Sequence, residues 1–296
     1  MVTGGGLDLD FLPDRALDIG HLTFRGVPIP WISAVDFVSP HQFETEGTEW
    51  LRTFSGGMLA TCGLDTFGPA SEDTGKWYPM HGRVGALPST VVETSLDQGV
   101  LTVRGEVHQA KVFGENLVLR RTYTAVLGGS TLHIRDTVTN ESSMDAGHMM
   151  LYHFNLGWPL LDESAVLEIP SKTTTPRDER AIAGLESWQT IEPPQLGFSE
   201  QVYFHEAHPG NGLAVVDNPN LDLRLEIQFS TQTLPGLFHW KMADYGHYVM
   251  GLEPSNTHHV HGHQTAREAS VLPILLPGES VEYEIDLVFS GSHHKN

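Results

Sequence analysis

Between residues 90 and 140 the chain reads as four extended segments, VVETSLD, VLTVRGEVH, NLVLRRTYTAVL and STLHIRDTVTN, separated by the turns DQG, FGE and GGS. Such runs punctuated by glycine turns predict an antiparallel meander, which must bury at least one face of every strand. In the third segment Leu117, Leu119, Arg121, Tyr123 and Ala125 share one face, and Val118, Arg120, Thr122, Thr124 and Val126 the other. Both faces are mixed, so this strand is expected in a sheet covered on each side, as when two large sheets stack.

The same habit runs through the rest of the chain. Residues 8 to 38 are short extended pieces broken by Gly26, Pro28 and Pro30, a proline density that forbids helix. The closing VEYEIDLVF alternates Val281, Tyr283, Ile285, Leu287 and Phe289 with Glu282, Glu284 and Asp286, the pattern of a half-buried antiparallel strand. Only TTTPRDERAIAGLESW suggests a helix, around Asp178 to Gly184, with the glycine as its C-terminal stop. The expectation is an all-β fold, a large twisted antiparallel β-sandwich formed as a single domain over residues 1–296. The glycine-rich residues 1–7 are expected to fray and residues 291–296 to form a tail.

Charge narrows the partners. A formal charge of −20, from 37 acidic against 17 basic residues, repels nucleic acid and anionic membrane surfaces. No apolar run approaches the roughly 18 residues of a membrane span. The single cysteine, Cys62, has no partner for an intrachain disulfide, and no signal-like segment precedes Asp8, so cytoplasmic residence is expected.

Chemistry concentrates in two apolar stretches. LYHFNLGWPLLDE, Leu151 to Glu163, places His153 and Asn155 on one side of a strand and Tyr152 and Phe154 on the other. HYVMGLEPSN carries Glu253 directly before Pro254, which is expected to end the ladder. A lone histidine in such a run is more often satisfied by a backbone carbonyl than catalytic, but here an acid-base pair is available. YPMHGR sets His81 and Arg83 on one face of an extended segment, suited to gripping adjacent hydroxyls or a carboxylate. In GLFHWKMAD, Trp240 beside Lys241 suits either a sugar platform or the core. The glycine-rich TFSGGMLATCGLDTFGP allows a ligand close to the main chain. THHVHGH gathers His258, His259, His261 and His263, a spacing that fits a metal site or an exposed loop at a pocket rim.

HFNLG and GLEPSN resemble the two catalytic segments of the aldose 1-epimerases, the galactose mutarotase-like superfamily. Arg15 in DRALDIG, together with YPMHGR, FGENLVLRR, IRDTVTN and LPGESVEYEIDLVF, extends the resemblance to an uncharacterised subgroup over nearly the whole chain. The resemblance implies the superfamily's large β-sandwich and a cofactor-free isomerase acting on a small-molecule sugar. Glu253 would be the general base and His153 the general acid that open and reclose the ring, with Arg15, His81, Arg83, Asn155, Trp240 and Lys241 holding the substrate. The sequence departs from the better-known mutarotases at one point. Their histidine stands two residues earlier, where this chain has Leu151, a displacement of about 6.5–7 Å along a strand that keeps the same face. Two other readings remain open at this stage. One is a metal-assisted sugar isomerase, epimerase or lyase that uses some of the histidines; the other is a carbohydrate-binding protein without turnover.

Overall fold

The structure, a computed structural model, describes residues 1–258 and 261–293. Two antiparallel sheets carry the chain, and helices are short. The first sheet runs, in spatial order, Leu7–Leu12, Asp18–Phe24, Leu59–Cys62, Leu151–Leu156, His247–Ser255, Gly236–Asp244, Gln201–Ala207 and Ser171–Pro176, with Val27–Pro28 attached to its second strand. The second runs Val166–Glu168, Asn211–Asn218, Leu223–Ser230, Ser280–Ser290, Thr131–Asn140, Asn116–Val126, Val100–Ala110 and Ser89–Asp97. The 90–140 meander is therefore contiguous at one end of the second sheet. Among the described residues no helix is long and apolar enough to cross a membrane.

One apolar core joins the sheets, and residues such as Tyr152, Phe154 and Leu252 of the first meet Leu119, Ile285 and Phe289 of the second. A buried polar knot crosses this core. The Arg121 guanidinium, wholly buried, donates to Asp136 at 2.7 Å and to Asp18 at 2.8 Å. The Tyr152 hydroxyl donates to the same Asp136 carboxylate at 2.8 Å, and Asp18 in turn accepts the Thr61 amide at 2.8 Å. Charges taken out of water are tolerable only when so completely bonded. The knot also fixes strand Leu151–Leu156: with Tyr152 pinned toward the core, alternation turns His153 to the opposite face.

Several expectations need correcting. The Arg121 strand is not covered on both sides, since Arg120, Thr122 and Thr124 are only half-buried and Val126 is exposed. Its mixed inner face reflects the arginine of the knot. Residues 1–7, expected to fray, are bonded to the fold: the N-terminal amine donates to the Leu9 carbonyl at 2.7 Å, Thr3 is buried and Val2 bridges Asp8. Gly291 to His293 are likewise held, with the Ser292 and His293 amides donating to Asp222 and Asp217. Pro254 does not end its strand, which runs to Ser255 and keeps pairing with Gly236–Asp244 through Leu237↔Pro254. On the other side, the pairs Leu151↔Ser255 and Phe154↔Leu252 set the register, and the ladder lapses between them, where proline offers no N–H. The helix expected near Asp178 forms as Glu179–Ala183, with the Asp178 carboxylate accepting the Arg180 and Ala181 amides and Gly184 closing it. A second helix, His263–Glu268, was not anticipated.

Candidate functional site

The register between Leu151↔Ser255 and Phe154↔Leu252 puts His153 directly across from Glu253 on the first sheet's outer face. His153 Nε2 stands 3.2 Å from Glu253 Oε1, and both side chains are buried. They are close enough to share a proton, although no hydrogen bond is formed between them, a looseness common in catalytic pairs before substrate arrives. Among the described residues, His153 Nδ1 and Glu253 Oε1 have no hydrogen-bond partner. Gly251 makes room for the pair, since a Cβ there would collide with Glu253 Oε1 and come within 3.2 Å of His153 Cε1.

The pair lies in the wall of a cavity of about 720 Å³. Its other walls are largely aromatic. Phe54 packs on Trp50 at 4.5 Å and on His153 at 5.2 Å between ring centroids, and Trp240 meets the His153 ring edge-on at 5.5 Å. Trp31 closes the ring of contacts against Phe54 and Trp240. Leu151 also lines the cavity, so the position at which the better-known mutarotases carry their histidine faces the same space as His153.

Burial dominates the electrostatics. It pushes the Glu253 carboxyl up to about 8, with the negative Glu200 adding to the rise and Arg177 opposing it. Burial also pulls the His153 imidazole well below its usual value, and His81 helps in the same direction. Both groups are thereby driven toward their uncharged forms, as expected where no full counter-charge is bonded to either.

His81 reaches the cavity from a strained arch. It adopts φ 55° and Gly82 φ 78°, while the His81 amide donates to Gly68 O at 2.9 Å and its carbonyl accepts from Gly63 N at 3.1 Å. A side chain on Gly82 would collide with the Gly63 and Thr66 carbonyls, so the arch requires glycine there. The His81 ring lies 4.6 Å from Trp50 and 5.9 Å from His153, and burial lowers it to about 4.

The remaining expected ligands divide. Trp240 lines the cavity with Phe238 and Met242, as strand alternation requires. Lys241 therefore points to the other face, where its ammonium donates to Glu192 at 2.8 Å and to the Ser187 carbonyl at 3.2 Å. Arg15 is also outside the cavity; its guanidinium bonds the Thr53 carbonyl at 3.1 Å and the Val38 carbonyl. Arg83 turns back onto the Trp77 carbonyl at 3.3 Å. Asn155, wholly buried, donates to the carbonyls of Gly57 and His153 at 3.0 Å and so braces the wall behind the site. None of these four lines the cavity.

The histidine cluster disperses. His261 lines the cavity, whereas His263 is bonded to Asp73 at 2.9 Å and stacked on Tyr78 at 4.1 Å. His258 rests against Phe204, and His259 lies outside the described residues. Among the described residues no group of three or more histidine, cysteine, aspartate or glutamate side chains is arranged to hold a metal ion. Cys62 is free and buried.

Sequence reasoning missed Trp31, Trp50, Phe54, Arg177 and Glu200. The last two brace each other at the mouth, where Arg177 Nη2 donates to Glu200 at 2.7 Å and Trp240 Nε1 donates to Glu200 at 3.0 Å. The glycine-rich stretch after Thr53 was the one local signal, and Phe54 stands at its start.

A family model described as "Domain of unknown function (DUF4432)" matches residues 1–288. Among curated proteins, none matches the chain by sequence. Solved structures do match. A candidate aldose 1-epimerase from Klebsiella pneumoniae is 27% identical, with 97% of this chain and 78% of that one covered and a TM-score of 0.90. A galactose mutarotase-like protein from Clostridium acetobutylicum is 16% identical, covering 97% and 93% with a TM-score of 0.65. A galactose 1-epimerase from Lactobacillus acidophilus is 15% identical, covering 98% and 92%, also with a TM-score of 0.65. At those identities the last two share the fold alone. The galactose mutarotase-like sandwich expected from the sequence is thus the architecture observed.

Proposed function

Since the chain belongs to the family described as a domain of unknown function (DUF4432), we propose its chemistry from its own cavity: aldose 1-epimerisation, the interconversion of the anomers of a hexose or modified sugar. The observation that carries this reading is the opposed His153–Glu253 pair, 3.2 Å apart at the wall of an aromatic cavity. Anomer exchange requires one group to take the proton from the C1 hydroxyl while another delivers one to the ring oxygen. The candidate epimerase from Klebsiella pneumoniae, similar over nearly the whole of this chain, supports the same reading.

The burial of both groups favours a resting pair of carboxylic acid and neutral imidazole. His153 then accepts the C1 hydroxyl proton as Glu253 donates to the ring oxygen, and the C1–O bond to the ring opens. The pair becomes imidazolium and carboxylate. After rotation about C1–C2, Glu253 reclaims the proton from the former ring hydroxyl, the new hemiacetal bond forms, and His153 returns its proton to the aldehyde oxygen. Atoms and charge balance over the cycle. This order reverses the roles that the family resemblance implies, and the physical reason is the burial of Glu253, which disfavours the ionised carboxylate. His81 and Trp240 complete the setting, and an indole in the wall can stack on a pyranose C–H face.

The test is NMR exchange spectroscopy on anomers of an aldose panel, with and without the protein. Accelerated exchange on at least one sugar, lost in Glu253→Gln, is expected. No acceleration on any neutral, amino or acidic aldose would overturn the reading.

A further inference from the structure

None of the arginines and lysines expected to hold an anionic substituent lines the cavity: Arg15 bonds two backbone carbonyls, Arg83 bonds the Trp77 carbonyl through Nη2, and Lys241 bonds Glu192 on the opposite face of the sheet. The charges that do face the cavity are mostly negative. Glu200 and Asp178 line it beside the uncharged Glu253, and among the described lining residues Arg177 is the one arginine or lysine. That arginine is already engaged on both sides, with Nη2 at 2.9 Å from Asp178 and 2.7 Å from Glu200. Its backbone amide also donates to Val202 O at 2.9 Å, fixing where the side chain starts. Glu200 is held by the Trp240 indole N–H as well, so its carboxylate cannot withdraw without releasing a wall of the cavity.

We propose that Glu200, braced by Arg177 and Trp240, sets the charge class of the ligand, so that the cavity takes sugars carrying neutral or amino substituents and rejects phosphorylated, carboxylated and sulfonated ones. The inference rests on the cavity being a sugar site, as proposed above. An anionic substituent would bring its charge beside the Glu200 and Asp178 carboxylates at the mouth of an aromatic-walled cavity, and like-charge juxtaposition is a means of rejecting wrong partners. A protonated amine meets the reverse situation, with carboxylates at the mouth and the Trp31 and Trp240 rings in the wall, a composition suited to a cation. Glu200 also raises Glu253, which ties the residue that screens substituents to the protonation of the reacting pair.

The experiment measures binding separately from turnover. Matched probes in the galacto, gluco and manno series are titrated against the full chain: the parent aldose, its 2-amino derivative, its uronate and its 6-phosphate. Tryptophan fluorescence reads binding, since Trp31, Trp50 and Trp240 all line the cavity. The uronate and the phosphate should bind at least about tenfold more weakly than the parent of the best-binding series, with the amino sugar at or above the parent. Glu200→Gln, which keeps the size and much of the hydrogen bonding, should narrow that gap. Arg177→Gln should widen it. The proposal is overturned if a uronate or phosphate binds as tightly as its parent, if Glu200→Gln leaves the ratio unchanged, or if no parent or amino sugar binds. A parent aldose that binds without anomer exchange would count against the epimerase reading and leave the charge class standing. An acidic aldose turned over faster than its parent would do the opposite.

Discussion

Gly251 and Glu253 share a strand face, and the hydrogen of Gly251 leaves the space into which the Glu253 carboxylate turns to meet His153. A Cβ at Gly251 would collide with Glu253 Oε1 while finding Trp240 Cβ at 3.1 Å. The nearest obstacle is the tip of a flexible side chain, so the carboxylate is expected to move before the strand does. Gly251→Ala should therefore fold normally, with a melting temperature close to that of the parent, while anomer exchange falls about 10²-fold, the cost of misplacing a reacting group by roughly 1 Å. Normal exchange in a folded Gly251→Ala protein would show that the observed carboxylate position is not the working one.

The pH dependence follows from the raised Glu253 carboxyl. Its ordinary value is 4.5 and burial pushes it to about 8. The folded protein thus holds a proton that the unfolded chain releases above about 4.5. The stability this group contributes is fully present below that pH and is lost as pH rises toward 8. Comparing melting temperatures of the parent and Glu253→Gln from pH 5 to pH 9, the parent should lose stability relative to the variant across the interval. Exchange activity of the parent should also decline above about pH 8, as the shared proton leaves the pair. Parallel melting curves would mean that Glu253 is ionised throughout.

Arg15 tests the division between cavity and support. Because it bonds the carbonyls of Thr53 and Val38, Arg15→Met should destabilise the protein by about 1.5–3 kcal/mol, the scale of hydrogen bonds to a charged group. The affinity of the folded protein for its sugar should be unchanged. Weakened sugar binding at an unaltered melting temperature would return Arg15 to the list of substrate ligands.

The knot in the core should be far less forgiving. Arg121→Met strands Asp136 and Asp18 in the interior, and breaking a buried pair from one side costs about 3–5 kcal/mol. Chemical denaturation of this variant should show the largest loss of any single substitution named here. A loss below about 1 kcal/mol would contradict the reading of the knot as a bonded ion network.

How much of this could be read from the sequence depended on whether the signal was periodic. His153 and Glu253 were legible because each sits in an apolar strand, where a polar residue stands out and alternation assigns its face. The same alternation separates Trp240 from Lys241, since neighbours on a strand cannot both face one cavity. Arg15 and Arg83 lie in segments without a period, and only the folded chain reveals that backbone carbonyls occupy their guanidinium groups. Trp31, Trp50 and Phe54 come from irregular chain between residues 31 and 54, and Glu200 from a segment far away in sequence, so no strand or helix period could bring them together. The strand through Pro254 was misjudged for a different reason. A proline forfeits hydrogen bonding toward one neighbour only, and the pairing with Gly236–Asp244 carries the strand onward.

The central claim is that His153 and Glu253 act as one unit on one sugar, and the most direct measurement is NMR anomer exchange by the Glu253→Gln and His153→Asn proteins and the double variant. Removal of a positioned acid or base typically lowers the rate about 10²–10⁴-fold. Each single variant should fall in that range with sugar affinity nearly unchanged, and the double variant should be little slower than the slower single one, as for residues that work as a unit. Near-normal exchange by Glu253→Gln, or losses that multiply in the double variant, would contradict the account.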